Sequence, residues 1–375
     1  MDIATLNAAA RRFPLLGRPR PACPSLPERV KEIIEIAAAA GQQGADGMVE
    51  GAHALNKAAL LASDCGRADL ARDLCWQHIN LYRAAGLRLT VRQARYMLEP
   101  VTNLARLQIR ADSGAQALRL LEAMYQAVTA NTDLVVEGHT LPSADPIGTR
   151  QEHHKLREWV WLQYLGDGIR ALALAGRWDK AVTLAEAHQG IGVHLMEGRQ
   201  AAIVARLLRG DPRVARALLE ESTPVHPWEQ QVASCLRVMC AAPNSAGRDI
   251  TAMVGHFLGS EPTPGYADFR ARLGLTVVTL ATTADPDAAG RILVHVATEV
   301  IEAGDGYAAR EVLKHTRGKD GIRLSDAQDR ALSAVVQSSG LGRGAIPTHL
   351  MSDLLAAVTT SQAAAFQALA DPVPR

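Results

Sequence analysis

Apolar residues recur at three- and four-residue intervals along most of the chain, the spacing of helices that bury one face. The first such stretch opens at Ser25-Leu26-Pro27-Glu28, with Ser ahead of Pro and an acid in the first turn. It continues through Val30, Ile33, Ile34 and Ile36 to about Ala40, and Gly41, Gly44 and Gly47 break it. From about residue 49 the pattern becomes helix, short turn, helix, repeatedly. Paired helices are predicted over 49–65 and 69–84, 91–110 and 115–130, 151–175 and 179–189, and 194–209 with a partner ending near 221. Less regular segments follow over 227–241, 247–259, 266–283, 286–303, 306–316, 325–338 and 346–370. Leu275–Thr279 and Leu293–Val300 are rich in β-branched residues, but each sits within a longer apolar run of helical length, so no strand is predicted. Residues 1–27 read as an arm. Pro14, Pro19, Pro21, Pro24 and Pro27 crowd out regular structure, and Arg12, Arg18 and Arg20 make it basic.

The turns carry a second pattern. Gly176-Arg177-Trp178-Asp179-Lys180-Ala181 is nearly copied at Gly66-Arg67-Ala68-Asp69-Leu70-Ala71. A Gly-x-x-x-x-Ala frame recurs at Gly66/Ala71, Gly176/Ala181, Gly210/Ala215 and Gly304/Ala309, and Asp112/Ala117 is a version without the Gly. Glycine ends the first helix in a left-handed conformation. Asp69 and Asp179 are placed to cap the second helix, and the Ala permits close approach. Seven residues before the turn stand Ala59, Ala105 and Ala297, with Ile169 and Ile203 in the other two cases.

This frame resembles the tetratricopeptide repeat, a 34-residue helix–turn–helix unit. Gly176 and Gly210 are 34 residues apart. The remaining spacings are longer, and the first-helix Trp and terminal Pro of the family pattern are mostly missing. A generic all-α bundle with Gly at its helix ends is the competing architecture. The resemblance implies an all-α solenoid of TPR-like hairpins over 28–324, with capping helices and a tail over 325–375 and a loop insertion near 131–150. It further implies a concave groove lined by first-helix side chains: His53, Asn56, Gln163, Arg170, Glu197 and Gln200, with Asn103 beside them. A solvated helix face would look the same in sequence.

Composition narrows the function classes. Hydrophobic residues make up 48% of the chain and the formal charge is +1, which argues against a broad basic nucleic-acid surface. Direct nucleic-acid binding is therefore not expected. The strong preference for Arg over Lys, with abundant Ala, fits a GC-rich bacterial genome. Residues 1–10 hold no apolar run of signal-peptide type, and no stretch reaches the ~20 apolar residues of a membrane span, so a cytoplasmic location is expected. Cys65, Cys75, Cys235 and Cys240 fall within helical patterns, where free thiols pack as small apolar groups.

Candidate chemistry concentrates after the insertion. Glu152-His153-His154 follows it, then Glu158, Trp159, Trp161 and Tyr164. His139, His154 and Glu158 are the residues a metal site would use, but no HExxH-type spacing is present and no metal or cofactor is assigned. Trp161 and Tyr164, with His139, His154 and Glu158, mark a possible aromatic-walled pocket for a small molecule. No GxSxG, phosphate-loop or GxGxxG signature occurs. Leu341-Gly342-Arg343-Gly344 is Gly-rich but lies between helices, and Asp285-Pro286-Asp287 reads as a helix start. Two readings result. The first is an interaction or regulatory protein that holds a protein or peptide partner in the groove. The alternative is an enzyme or small-molecule binder using the 131–178 region. The sequence specifies no oligomeric state.

Overall fold

The computed structural model describes residues 2–42, 47–242, 245–317 and 323–370, so Gly44 and the tail 371–375 lie outside the described residues. In chain order the helices are α1 (Ile3–Ala10), α2 (Leu26–Gln42), α3 (Met48–Asp64), α4 (Ala68–Ala84), α5 (Val91–Arg110), α6 (Gly114–Ala130), α7 (Arg150–Leu174), α8 (Trp178–Ala187), α9 (Glu197–Leu208), α10 (Pro212–Glu220), α11 (Pro227–Met239), α12 (Ala246–Leu258), α13 (Ala267–Ala281), α14 (Pro286–Ala303), α15 (Gly306–Thr316), α16 (Asp326–Ser339) and α17 (Thr348–Ala370). Two short strands, β1 (Leu134–Val136) and β2 (His139–Leu141), separate α6 from α7. Among the described residues the regular structure is all-helical apart from this hairpin. None of the described helices is long and apolar enough to cross a membrane.

The helix ends follow the turn chemistry. All five frame positions adopt the left-handed conformation, with φ of 80° at Gly66, 58° at Asp112, 69° at Gly176, 83° at Gly210 and 61° at Gly304. At four of them the next amide closes a Schellman turn: Arg67 donates to Ala62, Ser113 to Gln108, Arg177 to Leu172 and Asp211 to Arg206. The frame alanines Ala71, Ala117, Ala181, Ala215 and Ala309 are all buried. Asp69 and Asp179 do not cap. The N-cap positions are Arg67 and Arg177, and both acids sit in the first turn, where a carboxylate still complements the helix dipole. Asp179 instead pairs with Arg209 at 2.7 Å.

The chain divides into two compact units, each built from two stretches. Unit 2 takes Leu26–Ala171 and Gly340–Arg375. Within it α3 packs on α4, α4 on α5, and α5 on α6, with α3 also touching α5. The alanine-rich α3 is buried on most sides because α2 and α17 cover it as well. Gly51 makes the α17 crossing possible: a Cβ there would lie 2.9 Å from the Ser361 carbonyl oxygen. The Gly-rich turn before α17 closes the end of α3, as Gly342 N–H donates to the Asp64 carbonyl and Gly344 N–H to that of Cys65, both at 2.7 Å. Asp64 itself is buried and meets Arg29 at 2.6 Å and Arg110 at 3.0 Å.

In the 131–150 insertion an irregular loop over 142–149 follows an antiparallel hairpin, in which Leu134 lies opposite Leu141. Glu137 and Gly138 form its two-residue turn at φ of 49° and 82°, both positive as a type I′ turn requires. The strands are too short to show alternation over several residues, which is why the sequence pattern concealed them.

Unit 1 takes Met1–Ser25 and Leu172–Ser339. Its central helix is α13, the β-branched run, buried along nearly its whole length and packed on α1, α11, α12, α14 and α15. Residues 1–27 are not an irregular arm. Asp2 caps α1 by accepting from Thr5 N–H at 2.8 Å, and Phe13, Leu15 and Cys23 are fully buried in unit 1. The helix signal was there in the Ala-rich stretch, but the prolines that follow masked it.

Candidate functional site

Three polar stripes at helical spacing come together in unit 2. On α5 they are Arg95, Glu99, Asn103, Arg106 and Arg110, three or four residues apart on one face. On α3 they are His53, Asn56 and Lys57, and on α7 Trp159, Gln163, Asp167 and Arg170. The α5 stripe bonds both neighbours. Toward α3, Asn56 Nδ2 donates to Glu99 Oε2 at 2.8 Å, and Asn103 Nδ2 donates to Asn56 Oδ1 at 2.9 Å. Toward α7, Arg106 donates to Asp167 at 2.9 Å and to Gln163 at 3.2 Å, and the Arg95 guanidinium lies over the Trp159 ring at 5.4 Å. Lys57 pairs with Glu32 of α2 at 2.5 Å.

The strip is half-buried, which sets its electrostatics. Burial pushes the Glu99 carboxyl above its ordinary range, against the opposing pull of Arg95 and of the Asn56 hydrogen bond. Asn103 is buried, while His53, Arg95 and Arg170 are exposed at its margin. Three primary amides and four partly exposed guanidiniums thus share one surface. Such groups bond peptide backbones and carboxylates respectively.

The pocket residues do not converge. His139 lies at the hairpin turn, edge-on to Trp76 with centroids 5.0 Å apart, and neighbouring Glu137 accepts from Trp76 Nε1 at 3.0 Å. Tyr164 is buried and stacked on Tyr125 at 5.4 Å, Trp161 is half-buried, and His154 and Glu158 are exposed. The reason is rotation about α7: His153, Leu156, Val160 and Tyr164 share its inward face, and His154 and Glu158 lie roughly 100° round from it. A recess of about 150 Å³ is present nearby, lined by Asn131, Ser143, Pro146, His153, Leu156 and Arg157 together with Val128. Among the described residues no group of three His, Cys, Asp or Glu is placed to hold a metal ion.

No family model, curated protein or solved structure matches the chain. The site therefore rests on its own geometry. Of the residues expected in the groove, the structure brings Asn56, Asn103 and Gln163 into one strip, with His53 and Arg170 at its edge. Glu197 and Gln200 belong to unit 1 and are buried there. Gln200 is fully enclosed by its hydrogen bonds to Leu15 and Leu195, so neither residue lines an open groove. Arg95, Glu99, Arg106 and Asp167 were missed. The polar i, i+4 spacing on α5 was the signal that could have found them.

Proposed function

We propose that this is a non-catalytic interaction or regulatory protein that docks a protein or peptide partner on the α3–α5–α7 strip. The observation that carries the reading is the continuous, half-buried polar strip formed by the first helices of successive hairpins. A TPR-like repeat arrangement supports it. Four Schellman turns each precede a buried Ala, and α3, α4 and α5 pack in the order expected of stacked hairpins. In that arrangement first-helix side chains face the ligand. Asn56 and Asn103 would address the partner's backbone, and Arg95 and Arg170 its carboxylates.

The recess beside the hairpin favours a second reading as a small-ligand site, because Asn131, Ser143, His153 and Arg157 supply polar groups there. Its size restricts that reading. About 150 Å³ holds only a few water-sized groups, against the roughly 300–1,000 Å³ of ordinary ligand pockets.

Affinity capture from the source organism's lysate, with wild type, Arg95→Glu and Arg170→Glu in parallel, tests the docking reading. Arg170 is exposed, so for Arg170→Glu helicity and melting should hold within about 1 °C. Arg95→Glu removes the Trp159 contact and sets a like charge beside Glu99, so its fold is checked by circular dichroism before its capture is compared. A protein retained by wild type and lost from both variants supports the strip. Equal retention by all three refutes it.

A further inference from the structure

Unit 1 holds an extended stretch of its own chain much as a receptor holds a peptide. Between Leu15 and Cys23 the backbone bonds mainly to groups on other elements. Gln200 reads both polar groups of Leu15, accepting from its N–H and donating to its carbonyl, each at 2.7 Å. Arg20 N–H donates to the Gly265 carbonyl at 2.8 Å. Cys23 N–H donates to Asp305 Oδ2 at 3.1 Å, and the Cys23 carbonyl accepts from Gly306 N–H at 2.8 Å. Such main-chain pairing supplies affinity in extended-peptide recognition, and side-chain pockets supply selectivity.

The selective contacts are specific in kind. Leu15 is completely buried. Gly17 lies against the Trp228 indole so closely that a Cβ would come within 2.3 Å of it. Arg18 pairs with Glu197 at 2.5 Å. Arg20 pairs with Asp268 at 3.1 Å and lies over the Tyr307 ring at 4.0 Å. Glu197, Asp268 and Asp305 thus make an acidic wall against a basic segment. Asp305 does two jobs, because its other oxygen caps α15 through Ala308 N–H at 3.0 Å.

We propose that this groove is a peptide-binding site, that residues 12–23 are its tethered occupant, and that it accepts in trans a protein segment of the pattern Leu-x-Gly-Arg-x-Arg. The proposal concerns unit 1 alone and is independent of the strip in unit 2. Exchange between tethered and external segments makes the N-terminal stretch a competitive gate on the groove.

The test uses the full chain and a fluorescein-labelled synthetic peptide carrying residues 11–25, read by anisotropy. Two variants loosen the tethered occupant: Leu15→Asp, and Arg18→Glu combined with Arg20→Glu. The expected result is saturable binding at least tenfold tighter to the loosened variants than to wild type. A peptide carrying Gly17→Val, or both Arg→Glu changes, should lose at least tenfold on the same proteins. Circular dichroism checks that each variant is folded. If a folded, loosened variant binds no better than wild type, the groove does not exchange its occupant and the proposal fails. It fails equally if both variants unfold, since the segment is then inseparable from the core. Equal binding by the altered peptides would place the contact elsewhere and overturn it too.

Discussion

Replacing Gln200 with Leu isolates what a single buried amide contributes. The side chain is fully enclosed and makes three short hydrogen bonds: 2.7 Å from Leu15 N–H, 2.7 Å to the Leu15 carbonyl and 2.6 Å to the Leu195 carbonyl. Leucine keeps most of the volume but bonds none of them. Each buried backbone group deprived of its partner costs about 1–3 kcal/mol. Leucine's apolar surface and some relaxation of the segment offset part of that, leaving a net loss of about 4 kcal/mol. At about 2–4 °C per kcal/mol for a unit of this size, melting should fall by ~8–16 °C. Thermal melts followed at 222 nm give the shift. Hydrogen exchange over residues 11–25 localises it, because the Leu15 amide should lose protection before the α13 core does. A shift below about 2 °C with unchanged exchange would refute the reasoning, since backbone effects of this kind are not that small.

Acid should destabilise unit 2 through His78, whose buried ring nitrogens have no hydrogen-bond partner and whose pKa burial pushes down to about 3. A base with a depressed folded pKa gives stability that is complete above its ordinary value of 6.5 and lost as pH falls toward the folded one. By pH 4 the loss is about 3 kcal/mol, and His78→Leu should flatten the decline while melting no lower at pH 7. In unit 1, His315 is pushed down to about 4 by burial and then by Arg12, which predicts a shallower acid decline that survives the His78 change. Gly176→Ala and Gly198→Ala should differ. At Gly176 a Cβ meets nothing within 4 Å, so only the left-handed backbone costs, about 1 kcal/mol. At Gly198 a Cβ would lie 2.2 Å from the Gly190 carbonyl oxygen, and the loss in chemical denaturation should be about 3 kcal/mol. Cys65, Cys75, Cys235 and Cys240 are buried free thiols outside the exchanging N-terminal segment, so Ellman's reagent should label them only at the rate of unfolding, and rapid labelling of these four in the native protein would contradict their burial.

The helices were legible because periodicity survives in long elements. The segments predicted from 28 onward match α2 to α17 with ends within about three residues. The Gly and Asp turn positions were legible for the same local reason, since left-handed termination depends on neighbours in sequence. What failed depends on contacts between distant residues. Nothing near Gln200 in sequence marks it as the partner of Leu15, 185 positions away. A polar residue on an otherwise apolar helix reads alike whether it faces water or a buried peptide group. The same ambiguity hid the α5 stripe, whose arginines look like a solvated face until Asn56 and Asp167 are placed opposite them. The β hairpin was hidden by its brevity. Glu137-Gly138 carried a usable turn signal, but three residues on each side leave no alternation to count.

The two-stretch construction of each unit bears on how the protein emerges from the ribosome. Cys23 must wait for Asp305, 282 residues later, and at roughly 5–20 residues per second that delay is about 15–60 s. Leu15, apolar and already synthesised, waits in the same way for Gln200, 185 residues later. Unit 2 likewise lacks α17, the helix that covers α3, until Thr348–Ala370 have been made, long after α3 itself. Vectorial folding, in which an early domain closes before the next is made, is therefore denied to both halves. Exposed apolar segments of that kind are what chaperones shield, so soluble expression is expected to rise when chaperones are co-expressed, and an unchanged yield would contradict the delay.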